Sequence, residues 1–240
     1  MTTRTEPQAW DGGWLREARR CPSPNFGPRP AGASIDLIVL HSISLPPGQF
    51  GGTEIEALFT NTLDWDAHPY FQQIRGTEVS AHFVIRRDGA LIQFVSCDDR
   101  AWHAGVSSYR GRTNCNDDSI GIELEGLEGE LFESAQYDTL FVLCTELVNN
   151  YPIAHIAGHE DIAPGRKLDP GAGFDWQLLQ EKLILSNSFF PPARLGKKLT
   201  KKIIFPKPGP KKKNQTPKKV EQLNLKRNNY EKEKSWNGSF

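Results

Sequence analysis

Short apolar runs alternate along this chain with longer segments of helical periodicity, which limits the folds open to it. Residues 35–41 (IDLIVLH) are apolar and β-branched, as a buried strand requires, and they run into a loop with two prolines and a glycine. Residues 81–85 and 91–95 flank Asp88-Gly89, a pair typical of tight hairpins. This part of the chain therefore predicts one buried strand and one β-hairpin.

A further strand, predicted over residues 119–125 (SIGIELE), has two faces of different character. Side chains alternate along a strand, so the two isoleucines and the leucine share one face. The opposite face carries Gly121, Glu123 and Glu125. We expect the apolar face to meet a core and the acidic face to meet solvent or a site.

Helical periodicity appears in three segments. Residues 54–59 predict a short helix, residues 134–149 a longer one and residues 174–185 a final one. A short strand is predicted over residues 153–157, between the second and third helices. Because strands and helices interleave, we predict the α/β class with a mixed central β-sheet flanked by helices.

The formal net charge of zero conceals two regions of opposite sign. Residues 187–240 contain 15 lysines and arginines against 3 glutamates, whereas residues 1–186 carry 14 basic and 26 acidic residues. We predict one folded domain over 1–186, irregular at 8–34, and a disordered basic tail rich in Lys and Pro over 187–240. The tail is interpreted either as a solvated segment or altered reading frame, or as an aid in holding an anionic polymer.

The composition suits a protein of the cytoplasm. The four cysteines are scattered, with no close pair typical of a metal knuckle or a redox motif. The first residues are polar and lack the apolar region of a secretory signal, and no run approaches the roughly 18 apolar residues that span a bilayer. We expect a cytoplasmic monomer that engages neither membrane nor nucleic acid.

Two of the six histidines lie where α/β folds place their sites. His41 ends a buried strand before a loop, and His159 follows Gly158 at the end of another. Ten residues later, Asp169 precedes a proline, which favours an extended backbone at a fixed loop position. Two imidazoles and a carboxylate would leave a fourth position open on a tetrahedral zinc ion, as catalytic zinc sites require, although the spacing alone does not prove such a site.

A carboxylate beside a metal could act as a general base. Glu123 and Glu125 both qualify, since they share one face of a strand, and the pattern does not choose between them. Either is equally readable as a surface carboxylate. Lys167 lies two residues before Asp169 and could stabilise an oxyanion, or be an ordinary solvated charge.

Long segments of the chain resemble one enzyme family. The segments are LIVLHSISLPPGQFGG (37–52), HPYF (68–71), VSAHFVIRRDG (79–89), RAWHAGVSSYRGRTNCNDDSIGIELEG (100–126) and GHEDIAPGRKLDPGAGFDW (158–176). They are similar to the zinc-dependent N-acetylmuramoyl-L-alanine amidases, in particular the cytoplasmic AmpD-type amidases that act on 1,6-anhydro-N-acetylmuramyl-L-alanine. This family shares the fold of T7 lysozyme and the peptidoglycan recognition proteins. The similarity extends from about residue 13 to 185.

The resemblance implies roles for single residues. It makes His41, His159 and Asp169 the ligands of one zinc ion per chain, at loop ends on one face of the sheet. It makes Glu123 rather than Glu125 the general base, and Lys167 the residue that stabilises the transition state. The other histidines inside the motifs receive structural roles: His82 is expected to pack near the sheet, and His103 to shape the wall of the site.

The substrate contacts depart from the family pattern. Ser42 stands where members usually carry an asparagine close to the substrate, and 75–78 and 113–114 carry less arginine than relatives do. Arg112 and Asn116 are therefore our candidates for substrate contact, together with Ser42. The grip on the stem peptide is expected to differ, since arginine is the natural fork for a carboxylate.

The implied reaction is hydrolysis of the amide between a muramyl lactyl group and L-alanine, with an anhydromuropeptide as partner. Two rival functions are an endolysin-like amidase that acts on intact wall and a non-catalytic module that binds peptidoglycan. The retained ligand set argues against the second. Binding of nucleic acid by the lysine-rich tail rests on charge alone.

Overall fold

The structure is a computed structural model that describes residues 9–183 and 189–191. Its strands are β1 (Trp10–Asp11), β2 (Trp14–Leu15), β3 (Arg19–Arg20), β4 (Phe26–Gly27), β5 (Leu37–Ile43), β6 (Phe83–Ile85), β7 (Leu91–Gln93), β8 (Arg100–Ala101), β9 (Ser108–Tyr109), β10 (Arg112–Thr113), β11 (Ser119–Glu125) and β12 (His155–Gly158). Its helices are α1 (Glu54–Phe59), α2 (Pro69–Gln73), α3 (Ser134–Asn150), α4 (His159–Ile162) and α5 (Trp176–Leu183), with a 3-10 turn at Cys115–Asp117.

A six-stranded sheet in the order β12-β5-β11-β6-β7-β3 organises the domain. The four strands from β12 to β6 are parallel to their neighbours, β7 is antiparallel to β6, and β3 is parallel to β7. The predicted mixed sheet is therefore confirmed. Because parallel strands end at one edge of a sheet, the residues near their carboxyl ends are brought together there.

The main core lies between the sheet and the two longest helices. The apolar face of β11, with Ile120, Ile122 and Leu124, packs there against α3 and α5. Gln136 in the first turn of α3 ties the helix to the sheet, because its side-chain amide donates to the carbonyls of Ile85 and Glu125. This anchoring fixes the end of β11 that carries the acidic residues.

The opposite face of the sheet is covered in two parts. The short helices α1 and α2 cover β6 and β7, where Phe59 and Phe94 meet edge to face with ring centroids 5.1 Å apart. A smaller apolar cluster lies beneath β5 and β12 and includes Leu37, Val39 and Ala157. Val39 and His41 are two residues apart on β5, so their side chains project from the same face of the sheet. This apolar cluster therefore packs next to His41.

Several elements agree with their sequence predictions. Helix α1 and strand β11 have the predicted bounds, and α3 begins at the predicted Ser134 and ends one residue later than predicted. The Asp88-Gly89 hairpin is present, with Gly89 at φ 87 and its N–H donating to the carbonyl of Arg86. A positive φ of this kind is the reason for a glycine at the turn.

Other elements differ. Strand β5 begins at Leu37 instead of 35 and extends past His41 to Ile43, because β11 pairs with it over that length. Helix α5 begins at Trp176 rather than at 174. The five-residue helix α2, capped by the side chain of His68, is too short for a periodic signal and was not predicted.

Of the predicted tail, residues 189–191 alone lie in the described structure. Phe190 is buried and packs edge-on against Trp176, with ring centroids 6.5 Å apart. Ordered packing thus continues past the boundary predicted at 186. The prediction of disorder for the rest of 187–240 falls outside the described residues.

Among residues 9–183 and 189–191, no helix has the length and apolar character needed to cross a membrane. The four cysteines are free thiols, and three of them are buried.

Candidate active site

Three side chains from separate elements converge near the carboxyl ends of the parallel strands. His41 lies on β5, His159 is the first residue of α4 directly after β12, and Asp169 follows in the next loop. The Nδ1 atoms of His41 and His159 are 2.9 Å apart, and each lies 3.1 Å from Oδ2 of Asp169. All three residues are buried. The structure therefore brings together the three residues that were predicted as ligands.

The backbone fixes Asp169 and His159 relative to each other. The carbonyl of Asp169 accepts a hydrogen bond from the N–H of Glu160, 2.9 Å away, inside the first turn of α4. Gly158, just before His159, leaves no space for a side chain, since a Cβ there would lie 2.9 Å from Cδ of Pro170. Close packing of this loop against the end of β12 sets the positions of the His159 and Asp169 side chains.

The donor set fits a divalent metal ion. Burial, followed by the neighbouring His159, lowers the pKa of His41 to about 4, so its ring is neutral at physiological pH. Burial acts to raise the pKa of Asp169, but hydrogen bonds with His159 and His41 lower it by more than burial raises it. The net pKa is therefore below the ordinary value, and the carboxylate is ionised. Around a tetrahedral zinc ion with bonds of about 2.0–2.1 Å, ligand atoms lie roughly 3.3 Å apart, close to the separations observed here. Two nitrogen donors and one oxygen donor match zinc chemistry.

The outer nitrogens of the two rings are also engaged. Nε2 of His159 lies 3.1 Å from the carbonyl oxygen of Ala104, which also accepts from Arg166. Nε2 of His41 lies 2.9 Å from Nδ1 of His103. The second contact shows that His103 bonds directly to His41. From the sequence, His103 was expected only to shape the wall of the site. Hydrogen bonds of this kind hold metal-ligating rings in place.

Glu123 lies beside the cluster of His41, His159 and Asp169. It is the register partner of His41 on the adjacent strand, so both side chains project from the same face. Its Oε2 is buried and has no hydrogen-bond partner among the described residues. Burial, reinforced by the negative charge of Asp169, raises its pKa well above the ordinary value, and the charge of Lys167 opposes this. A carboxyl group so placed can take up and release a proton more readily than an exposed one.

Glu125 shares the face of Glu123 but has a different environment. Its carboxylate is buried and accepts from Nη1 of Arg86 at 2.9 Å, from the N–H of Gly51 at 2.7 Å and from the N–H of Arg87 at 3.2 Å. These bonds join the loop before α1 to the end of β11. Glu125 is therefore engaged in holding the fold, which favours Glu123 as the carboxylate free for chemistry.

Lys167 and a residue missed by the sequence analysis complete the charged surroundings. Burial raises the pKa of both Glu123 and Glu128, and the positive charge of half-buried Lys167 opposes that rise in each. Glu128 itself has a raised pKa, caused by burial and then by the charge of Asp169. Its position against Gly171, whose φ is +85, comes from loop packing. A loop glutamate has no periodic signature, so sequence alone offered no signal for it.

Asn116 does not face the cluster. It is buried, and its Oδ1 accepts from the backbone N–H groups of His103 and Ala104 at 3.0 and 2.8 Å. It therefore shapes the loop that contacts both ligating histidines.

Ser42 and Arg112 are not brought together with the cluster either. Ser42 follows His41 on β5 and by strand alternation projects to the opposite face. Arg112 pairs in bidentate fashion with Asp36 at 2.7 and 2.9 Å, and with Asp118 at 3.0 Å. Both aspartates immediately precede the first residues of β5 and β11, at the strand ends opposite the cluster. Contact of these residues with substrate remains a prediction without structural support.

His82 agrees with its expected packing role. It is buried, its Nδ1 accepts from the N–H of Gly121 at 3.0 Å, and its Nε2 lies 3.1 Å from the carbonyl of Asp99. Burial, and then the charge of Arg29, lowers its pKa to about 3. It is a neutral structural histidine within the sheet.

Known proteins share this sequence and fold. The family model described as N-acetylmuramoyl-L-alanine amidase matches residues 31–172. The 1,6-anhydro-N-acetylmuramyl-L-alanine amidase AmpD of Escherichia coli K12 is 54% identical over 166 residues, covering 68% of this chain and 91% of the relative. The Citrobacter freundii AmpD is 55% identical over 168 residues, covering 69% and 90%. The Salmonella typhimurium SL1344 AmpD is 52% identical over 179 residues, covering 74% and 96%.

Solved structures give the same picture. A crystal structure of AmpD, 54% identical, superposes with a TM-score of 0.71 over 72% of this chain and 98% of that chain. An endolysin N-acetylmuramoyl-L-alanine amidase of Clostridium intestinale is 20% identical, with a TM-score of 0.53 over 73% of this chain and all of that chain. The latter similarity concerns the fold alone.

Proposed function

Because this chain belongs to the N-acetylmuramoyl-L-alanine amidase family, we propose that it releases stem peptides from 1,6-anhydromuropeptides during recycling of the cell wall. The bond cleaved is the amide between the lactyl group of 1,6-anhydro-N-acetylmuramic acid and L-alanine. The observation that carries the proposal is the buried cluster of His41, His159 and Asp169 beside Oε2 of Glu123, which has no hydrogen-bond partner among the described residues. Relatives at 52–55% identity bear the name of this activity.

His41, His159 and Asp169 would hold one zinc ion per chain. When bound, zinc supplies Lewis acidity that polarises the amide carbonyl and acidifies a water molecule. The protein holds the imidazole of His41 neutral and the carboxylate of Asp169 ionised, the states in which these side chains bind metals. Burial of all three excludes competing bulk water from the donor atoms.

Glu123 moves the proton in the proposed reaction. Its carboxylate accepts a proton from the attacking water and delivers it to the departing L-alanine nitrogen, so the group ends the cycle as it began. The raised pKa supports both halves of this task, because it makes the carboxylate a stronger base and stabilises its protonated form.

Lys167 supplies positive charge next to the reacting carbonyl. Its charge acts on both Glu123 and His41, so it lies within electrostatic range of the acid–base group and the metal ligands. We propose that it stabilises the negative charge that develops on the amide oxygen. A lysine suits this role because a compact ammonium group acts as a point charge.

A cytoplasmic location is part of the proposal. All four cysteines are free thiols, as expected where the surroundings are reducing. Such a location implies soluble muropeptide fragments rather than intact wall as substrate.

The experiment that tests the function is release of stem peptide from purified 1,6-anhydro-N-acetylmuramyl tripeptide. We expect turnover that a chelator abolishes and added zinc restores. Equal amounts of enzyme on intact peptidoglycan provide the comparison, and we expect much slower release there. Faster release from intact wall than from the anhydro fragment would replace the proposal with an endolysin-like function. Turnover that withstands full metal removal would refute the metal centre.

A further inference from the structure

The hydrogen bonds around His41 continue beyond its own ring. Its Nε2 lies 2.9 Å from Nδ1 of His103, whose Nε2 lies 3.1 Å from Oγ of Ser119. The Oγ of Ser119 in turn lies 2.5 Å from the backbone carbonyl oxygen of Cys115. All four residues are buried. A single line of polar groups therefore joins the ligand cluster to a backbone carbonyl.

The hydrogen positions along this line follow from its end. A backbone carbonyl can only accept, so the hydroxyl of Ser119 donates to Cys115, and its oxygen accepts from Nε2–H of His103. Nδ1 of a neutral His103 is then bare, and Nε2 of His41 carries the hydrogen that joins the two rings. His41 is left with a bare Nδ1, the atom that lies 2.9 Å from Nδ1 of His159.

The tautomer of His159 is set by one direct contact with the backbone. Its Nε2 lies 3.1 Å from the carbonyl oxygen of Ala104, which can only accept, and 3.4 Å from Nη2 of Arg166, which can only donate. The shorter contact favours a hydrogen on Nε2 and a bare Nδ1. Both ligating rings therefore present a lone pair from Nδ1. The difference is that an imidazole stands between His41 and the backbone, whereas none stands behind His159.

The strand next to His41 is shaped to admit the ring of His103. A Cβ atom at Gly121 would lie 2.4 Å from Cγ and 2.6 Å from Nδ1 of that ring, closer than carbon atoms can approach. The rings of His41 and His103 meet edge to face, with centroids 5.0 Å apart and planes at 85°. Gly121 thus gives His103 the space from which it can bond to His41.

We propose that His103 is a positioning residue that holds His41 in the Nε2–H tautomer and so directs the bare Nδ1 toward the metal. Ser119 sets the tautomer of His103, and Gly121 sets its place. This inference rests on the proposed metal centre, and it adds a second layer to that centre. Partners of this kind commonly contribute about 10–100-fold to metal affinity.

Two substitutions at one position separate the hydrogen bond from the packing. H103L removes the acceptor for His41, and we expect zinc affinity to fall by about 10–100-fold. H103N loses the ring as well, but its Oδ1 can stand near the former Nδ1 and accept from His41. We expect H103N to recover most of the lost affinity. Zinc dissociation constants are measured by competition with a chromogenic chelator, and thermal unfolding in excess chelator verifies the fold.

The matched control is His82, a second buried histidine on the same face. H82N alters a ring that bonds to the backbone of β11 rather than to a ligand. We expect it to change stability while zinc affinity stays within about threefold of wild type, far less than the effect of a lost ligand partner. Should H103L fail to fold, S119A removes the acceptor one step further out, and a smaller loss of about threefold to tenfold is expected.

Nitrogen-15 NMR of the imidazoles reads the tautomers directly. We expect His41, His103 and His159 each to carry hydrogen on Nε2 in the zinc-loaded protein. A hydrogen on Nδ1 of His103, or equal zinc affinity in wild type, H103L and S119A, would overturn the inference while leaving the metal centre intact. A wild-type protein that does not bind zinc would remove the metal centre itself, and this inference with it.

Discussion

Glu123 and His41 are register partners on adjacent parallel strands, β11 and β5. Neighbouring strands lie about 4.8 Å apart, so the proposed acid–base group and a proposed ligand are separated by a single strand spacing. Two rigid central strands set this relationship, and no loop movement is needed to bring the two side chains together. The sheet therefore fixes this pair, whereas His159 and Asp169 are held by α4 and the loop after it.

The first prediction concerns the two glutamates of β11. E123Q should lower the turnover number by about 10²–10⁴-fold, because the amide cannot carry the proton, while zinc content stays at one ion per chain. Peptide release and metal analysis on the same preparation measure both.

E125Q is the matched comparison. It weakens the buried pairing with Arg86, and we expect stability to fall by about 3 kcal/mol with turnover within tenfold of wild type. If E123Q kept substantial turnover, or if E125Q were the inactive variant at full folding, the assignment of Glu123 would be wrong.

The second prediction concerns metal removal. Zinc that binds the folded protein alone should stabilise it by about 2.7 kcal/mol at a free concentration one hundred times the dissociation constant. Thermal unfolding with and without chelator measures this difference. H159A should show no such difference, since one of the three donor groups is gone. A chelator effect of the same size in H159A would place the metal elsewhere.

The third prediction concerns acid sensitivity. The pKa of His82 is about 3 in the fold, against about 6.5 in an unfolded chain, so the unfolded state binds the extra proton first. Its contribution to stability is therefore complete above pH 6.5 and is lost as the pH falls from 6.5 toward 3. His82 alone should contribute up to about 1.4 kcal/mol per pH unit to the slope, in addition to the contribution of His41, whose pKa is also lowered.

Urea unfolding in chelator between pH 7 and pH 4.5 measures that slope, and H82N should show a shallower one. Equal slopes in wild type and H82N would show that another group governs the acid sensitivity.

The fourth prediction concerns Arg29, a half-buried guanidinium that bonds to backbone carbonyls. Its nitrogens donate to the carbonyls of Cys97, Asn116, Asp117 and Ser119. R29K keeps the charge but cannot satisfy these acceptors in the same fork geometry, so unfolding free energy should fall by about 2–4 kcal/mol. Chemical denaturation measures it, and an unchanged midpoint would contradict this account. The same substitution at the exposed Arg20, R20K, is the control, and it should leave the unfolding free energy nearly unchanged.

The elements predicted best from the sequence are those whose alternating or helical pattern covers their whole length. Residues 119–125 alternate strictly, and the observed strand has the same bounds. Residues 35–41 gave the right strand but the wrong end, because pairing with β11 extends β5 through Ser42 and Ile43. That extension is a tertiary effect, and it also turns Ser42 away from the face of His41.

The site was predictable where a residue stands at a strand end or in a family motif. His41, His159 and Asp169 belong to this group, and the structure brings them together. The pattern alone did not separate Glu123 from Glu125, because their difference lies in Arg86 and in the backbone of Gly51, which are remote in sequence. The bond between His103 and His41 spans 62 residues and had no local signal at all.

The aromatic contact between Phe190 and Trp176 bears on where the chain can be cut. Trp176, 8% exposed, packs against Phe190 on one side and lies 3.3 Å from the position of a Cβ at Gly158 on another. Gly158 directly precedes His159. A chain truncated after residue 191 keeps the phenyl ring of Phe190 over this indole, whereas truncation after 186 removes it from the packing behind Gly158 and the proposed ligand His159. Phe190 thus packs with the domain that carries the proposed site, although it lies beyond residue 186.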